Sequence, residues 1–299
     1  MLKRVIEISS DHFKLSLSKG FLIVTDVRTN QVNQIPLDSI LCLIISAHNV
    51  LISKNIVNAL CENQACLIFC NDKYMPAAIT LPIVGHWLTS ARIKAQTALS
   101  ESLRKNLWKK IVQMKISNQA KLLAFVHPNS TIKVRLQMLS KTVKNDDLQN
   151  NEGQAAHLYF NELFGSDFIR NRNAADINML LNYAYTILRA MVARSVCANG
   201  LLPYLGLKHC QSANTMPLVD DLIEPFRPFA DQAVLDILKM GSFMGQLTPE
   251  IKRMLAGLTA QVIYTDKGKL PLAEVINDFV LSLVKSYQEK KNLLINICL

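Results

Sequence analysis

The sequence predicts an α+β protein, with a small N-terminal β domain over 1–80, a linker at 81–86 and a larger all-α C-terminal domain over 87–299. Three observations lead there. Polar and apolar residues alternate early in the chain, and proline and glycine then gather at Pro76, Pro82 and Gly85. Beyond that cluster, long apolar residues recur at three- and four-residue spacing.

In the first part, Phe13, Leu15 and Leu17 alternate with Lys14, Ser16 and Ser18, a Lys19-Gly20 turn follows, and Phe21 to Val24 resume as a strand. That is a hairpin pattern. Ile40 to Ile45 and Cys66 to Phe69 read as further strands. In the second part, helices are expected at His86 to Lys105, Lys109 to Val126, from near Asn151, Ala174 to Ala198, from Val219 onward, and Leu272 to Tyr287. Ser130 to Leu148, polar and basic, is expected to mix helix with loop.

With 299 residues, about half of them apolar, the chain can bury a real core. Its seven cysteines, Cys42, Cys61, Cys66, Cys70, Cys197, Cys210 and Cys298, are odd in number and mostly lie in apolar runs. This argues against a secreted disulfide framework and for a reducing cytoplasm. No run approaches the roughly 20 apolar residues of a membrane span, and Met1 to Ser10 lacks a signal-peptide pattern. The cysteines Cys61, Cys66 and Cys70 have a spacing that hints at zinc, but no fourth ligand is near, so buried free thiols are the preferred reading. The histidines His12, His48, His86 and His127 are isolated, and Trp108 reads as a packing anchor rather than a base-stacking platform.

The formal charge of +10 is concentrated. Between Arg92 and Lys144 stand twelve basic residues and one acid, Glu101, so the remainder is near neutral. So one-sided a segment repels itself unless a polyanion is present, which points to nucleic acid rather than a membrane surface.

Phosphodiester chemistry on DNA needs a divalent cation, held by oxygen ligands and often one imidazole. Acids and histidines that interrupt apolar contexts are therefore the residues to seek. They are Glu152 in NEGQAAHLYF, His209 after YLGLK, and Asp220, Asp221 and Glu224 in LVDDLIEPFRP. Each has a plainer alternative: a glutamate near a helix start is commonly solvated and favoured by the dipole, and a lone histidine is commonly structural. Asp221 and Glu224, three apart, would share one helix face, with Leu222 and Ile223 toward the core. Two like charges there need a cation or an arginine, and Arg227 could be that arginine. On local pattern alone this is a candidate metal site.

The segment NGLLPYLGLKHCQSANTMPLVDDLIEPFRP, Asn199 to Pro228, closely resembles the signature of the CRISPR-associated spacer-integration endonucleases, the first and most widespread Cas proteins. NEGQAAHLYF around Glu152 and LNYAYTILRAMVARSV from Leu181 to Val196 support the resemblance, which covers essentially the whole chain. LWKKIVQMKISNQAKLL, Leu107 to Leu123, looks like the form found beside single-effector, type II systems. What the resemblance implies is a metal-dependent endonuclease and integrase that joins the 3′-hydroxyl of short double-stranded DNA to a CRISPR repeat by transesterification. Its ligands would be Glu152, His209 and Glu224, with Asp221 a nearby acid and possible fourth ligand, and its ion Mg²⁺ or Mn²⁺. Lys109, Lys110, Lys115 and Arg227 are the expected DNA contacts.

The family form also implies a homodimer through the β domain, assembled with a dimer of the small second Cas protein of ferredoxin-like fold, and it admits the effector nuclease of the same system as a partner. Two departures stand out. Lys208 occupies the place of a frequent second histidine, and His157 that of a frequent arginine. Two other readings share these features: a nuclease for branched DNA that does not integrate, and a non-catalytic DNA-binding scaffold in which the acids only pair with Arg227 or Lys208.

Overall fold

The computed structural model describes residues 4–71, 76–80, 87–171, 174, 176–209 and 214–299. The expected linker at 81–86, His86 and Cys210 lie outside the described residues.

Among the described residues the first part contains eight strands: β1 (Arg4–Ile8), β2 (Phe13–Ser18), β3 (Phe21–Asp26), β4 (Val32–Pro36), β5 (Ile40–Ile45), β6 (Val50–Ile52), β7 (Cys66–Cys70) and β8 (Pro76–Thr80). They form two four-stranded sheets, ordered β4-β3-β2-β6 and β1-β5-β7-β8. The predicted hairpin is present, with Leu15 opposite Val24 and Ser18 opposite Phe21. Gly20 supplies its turn at φ 79°.

Strand β5, ILCLII, is buried along its whole length because both faces are covered. Leu43 and Ile45 meet Leu15, Leu22 and Leu60 in a core between the two sheets. Leu41, Cys42 and Ile44 turn the other way and join the helical core. The β part is thus packed directly onto the helices, and the proline cluster does not end it, since Pro76–Thr80 pairs with β7.

Helix α1 (Lys54–Glu62) lies within this β part and was not foreseen. Its only apolar signal is a short stripe, Ile56, Ala59 and Leu60, at three- and four-residue spacing.

The remainder holds α2 (Thr89–Thr97), α3 (Glu101–Val126), α4 (Ile132–Thr142), α5 (Asn151–Phe164), α6 (Ile177–Ala198), α7 (Pro217–Leu222), α8 (Arg227–Lys239), α9 (Pro249–Ala256) and α10 (Leu272–Glu289). The single helix expected over His86 to Lys105 is two, because Ser100 caps α3 by accepting the N–H of Leu103. This part is mainly rather than wholly α. A hairpin of β9 (Val262–Thr265) and β10 (Gly268–Pro271) leads into α10. No described helix is long and apolar enough to cross a membrane.

Helix α6 is the centre of the bundle, with Leu180, Leu181, Ala184, Leu188 and Val192 all sealed from solvent. Helix α3 runs 26 residues and packs on α4, α5, α8 and the turn between α7 and α8. The segment after α10 returns to it: Leu294 and Ile297 are buried, and the N–H of Leu299 donates to Oδ1 of Asn118. Asn118 itself donates to the carbonyl of Pro225. One buried amide thus ties the chain's last residue, α3 and the Glu224 turn together.

Candidate functional site

Four segments converge at the middle of α3. The first is the start of α5, placed by local caps: Asn150, at φ 52°, accepts the N–H of Gly153, while the two carboxylate oxygens of Asp147 accept those of Asn151 and Glu152. Glu152 therefore sits in the first turn, where the helix dipole favours its charge.

The second is the turn after α7. The helix stops at Leu222 and a 3₁₀ turn, Glu224–Phe226, carries the chain into α8. Pro225 favours this change of path because it has no N–H to continue the ladder. The expectation that Asp221 and Glu224 share a helix face fails for that reason, and the two carboxylates go to different partners. Leu222 and Ile223 do face the core.

Glu224 is buried and lies between two cations: Oε1 is 2.8 Å from Nε of Arg227, and Oε2 is 2.5 Å from Nζ of Lys115. The same Lys115 nitrogen is 2.6 Å from Oε1 of Glu152. Burial opposes the charge on Glu224, yet Arg227 and Lys115 overcome it and hold its carboxyl down to about 2. Burial likewise works against charge on Lys115, and Glu224 and Glu152 more than restore it. Arg227 thus takes the offsetting position that its spacing suggested, and its guanidinium also covers the ring of Tyr185 at 4.6 Å.

The third segment is the loop 201–209. Gln96 of α2 holds it, accepting from the N–H of Leu202 and donating to the carbonyls of Leu202 and Leu205. Asp221, with no exposure, holds its end. One oxygen accepts the N–H groups of Leu207 and Lys208 at 2.5 and 3.0 Å. The other accepts the N–H of His209 at 3.2 Å and its Nδ1 at 2.7 Å. Gly206 is required here, since a Cβ would stand 3.0 Å from Asp221 Oδ2 and 2.8 Å from Cβ of Pro217. The His209 ring meets the edge of buried Trp108 at 5.3 Å, so Trp108 is a packing anchor.

The bond to Asp221 raises the pKa of His209; burial opposes the rise, and the charges of Glu224 and Glu152 add to it. With Nδ1 occupied, Nε2 is the nitrogen left for a ligand. Both oxygens of Asp221 are engaged by the loop and the imidazole.

The fourth segment lies behind the carboxylates, where a cavity of about 240 Å³ is lined by Lys115, Gln119, Tyr185, Glu224, Arg227 and Asp231 among others. Asp231 accepts from the hydroxyls of Tyr159 and Tyr185, and burial nevertheless pushes its carboxyl up to about 6. Sequence reasoning missed this cluster. The available signal was an acid at a core position, between Phe229, Ala230 and Val234.

Asp220 stands apart, paired twice with Arg189. Lys208 reaches Asp146, and His157 is exposed beside Asn161. Lys109 and Lys110 are half-buried on α3 and make no ion pair among the described residues, whereas Lys115 faces inward. The cysteines described are free; Cys42 and Cys66 face each other across β5 and β7, and burial pushes the Cys42 thiol up.

The donor chemistry suits a divalent cation. It consists of two carboxylates, one of them buried and ionised with its Oε2 met by the Lys115 ammonium, and an imidazole with one nitrogen fixed by a buried acid. As they stand, no three His, Cys, Asp or Glu side chains among the described residues are close enough to hold an ion. The ammonium of Lys115 lies between the two glutamates instead.

Comparisons with known proteins agree on one family. The model for "CRISPR associated protein Cas1" matches residues 6–253. A CRISPR-associated endonuclease Cas1 of Neisseria meningitidis is 40% identical over 242 residues, covering 81% of this chain and 78% of the relative. Among solved structures, a casposase bound to integration product superposes with a TM-score of 0.83 at 19% identity, over 97% of this chain and 92% of that one. A chain of a Cas6-RT-Cas1–Cas2 complex gives 0.76 at 18% identity, covering 97% of this chain and 35% of its own length. At such identity these two likenesses concern fold alone.

Proposed function

The chain belongs to the Cas1 family of CRISPR-associated endonucleases, which act in CRISPR adaptation, and from that premise we propose that it joins the 3′-hydroxyl of short double-stranded DNA to a CRISPR repeat. The observation that carries this reading is the meeting of Glu152 and Glu224 on one buried cation, near an imidazole whose Nδ1 is already committed.

Glu152, Glu224 and Nε2 of His209 would hold Mg²⁺ or Mn²⁺, which when bound polarises a phosphate and stabilises charge on its oxygens. The chain's own residues do the rest. Arg227 keeps Glu224 ionised inside the fold, and Asp221 fixes the imidazole plane and tautomer. Lys109 and Lys110 lie along α3 as contacts for the DNA backbone. In the reaction the 3′-oxygen attacks phosphorus in line; one P–O bond forms, one breaks, and the repeat's 3′-oxygen leaves with a proton. Water in place of the hydroxyl gives a nick.

Residues 1–80 are assigned to dimerisation, 81–86 to the linker and 87–299 to chemistry and DNA. Small β sheets with open edges, β4 and β6, need a cover, and a second copy supplies it. The small second Cas protein is the further partner, a reading supported by the likeness to a Cas1–Cas2 assembly. The resemblance of Leu107 to Leu123 supports a type II system, and unpaired thiols suit a cytoplasmic enzyme.

The test is an integration assay with a supercoiled repeat plasmid, a labelled fragment, the second Cas protein and each metal in turn. Joined product should require a free 3′ end and vanish in Glu152→Ala. Cleavage of branched DNA without joining would make the protein a nuclease only; DNA binding with no metal-dependent cleavage would make it a scaffold.

A further inference from the structure

Lys115 and Gln119 stand one turn apart on α3, so their side chains emerge on the same face. Both are buried and both line the cavity behind Glu224. Lys115 spends its charge on Glu152 and Glu224, but Oε1 of Gln119 is sealed from solvent with no hydrogen-bond partner. A buried amide oxygen left unsatisfied is costly, and such an atom in a folded site marks a place where a donor belongs. The cavity, about 240 Å³, exceeds by several-fold the roughly 30 Å³ that a water-sized group needs.

The proposed metal reading makes a demand on this arrangement. A dication held by Glu152 and Glu224 would stand beside the Lys115 ammonium, which occupies the space between those carboxylates, and Arg227 already compensates Glu224 from its other side. Two such cations at contact distance repel strongly in a site shielded from water. The ammonium would have to leave, and the cavity that Lys115 and Gln119 both line is the space open beside it.

We propose that Lys115 is an exchangeable counter-ion with two seats: between Glu152 and Glu224 in the metal-free protein, and against Oε1 of Gln119 once a divalent cation takes the carboxylates. The first seat keeps two acids together that would otherwise repel. The second accepts the displaced donor and satisfies the orphan oxygen. Lys115 is in this role a positioning residue for the metal site, not a DNA contact. The inference rests on the metal reading given above.

A double-mutant cycle in Mn²⁺ affinity decides it, measured on the full chain by electron paramagnetic resonance of free Mn²⁺, with circular dichroism to confirm folding. Lys115→Met removes the competitor and should tighten Mn²⁺ binding by about tenfold. Gln119→Leu fills the same volume but abolishes the second seat, and should weaken binding by about tenfold when Lys115 is present. In the Lys115→Met background, Gln119→Leu should change nothing. Equal effects of Gln119→Leu in both backgrounds, or none in either, would overturn the two-seat exchange while leaving the metal site standing. Mn²⁺ binding that is absent, or indifferent to Glu152→Ala, would remove the metal reading and the exchange with it.

Discussion

Nδ1 of His209 lies 2.7 Å from Oδ1 of Asp221, and the same carboxylate holds the backbone N–H groups of Leu207, Lys208 and His209. A single buried acid thus sets both the path of the loop and the orientation of the imidazole at its end. Asp221→Asn replaces one acceptor oxygen by an NH₂ facing donors. It should lower stability by about 2–4 kcal/mol and weaken Mn²⁺ binding by roughly 10- to 100-fold. Denaturant titration and metal titration report the two effects separately; an Asn variant that loses neither would deny Asp221 this role.

Glu224 and Glu152 differ in what their loss leaves behind. Glu224→Gln strands Arg227 and Lys115 with diminished compensation in the interior, at a cost of about 3–5 kcal/mol, whereas Glu152 is partly exposed and Glu152→Gln should cost about 1 kcal/mol or less. Both should abolish joining. Equal stabilities for the two variants would contradict the burial difference.

Asp231 sets a pH dependence of known sign. Burial lifts its carboxyl from 3.8 to about 6, so the folded protein binds this proton more tightly than the unfolded chain does. Its favourable contribution is whole below about pH 4 and is lost as pH rises through about 6, a swing of about 3 kcal/mol. Asp231→Asn keeps an acceptor for the tyrosine hydroxyls and removes the titration. Wild type should therefore lose stability relative to Asp231→Asn between pH 4 and 7; parallel curves would exclude the shift.

On DNA, the Lys109→Ala/Lys110→Ala pair should weaken binding alike on all sequences and lower the slope of log affinity against log salt by about 1.8. An unchanged slope places both lysines away from the duplex. Lys115 is left out of this test because its charge is spent inside the fold.

If the β part joins two copies, its open edges are where charge should break the pair. Val32 on β4 and Leu51 on β6 are both exposed edge residues. Val32→Glu and Leu51→Glu, singly and together, should shift light scattering from dimer to monomer without loss of helix content. A dimer that survives both changes joins elsewhere.

The division into β and helical parts was legible because strand alternation and helical spacing are local patterns, as Phe13 to Val24 and Leu272 to Tyr287 illustrate. Short elements were not: α1 carries three buried apolar residues, and β6 has only three residues in all. The site divided along the same line. Arg227 offsetting Glu224 is an i,i+3 relation and could be read from spacing. Asp221 serving backbone groups of the preceding loop could not, because its partners are N–H groups that every residue carries. Lys115 read as one more DNA-contacting lysine of a basic helix; its inward position depends on α5 and the Glu224 turn, both far away in sequence.

Asn118 joins the final residue to the Glu224 turn through two hydrogen bonds, one on each side of a single amide group. Displacement of Leu299 is therefore delivered within one side chain of a candidate ligand. Amide exchange at Leu299 offers a remote gauge of how firmly the Glu224 turn is seated.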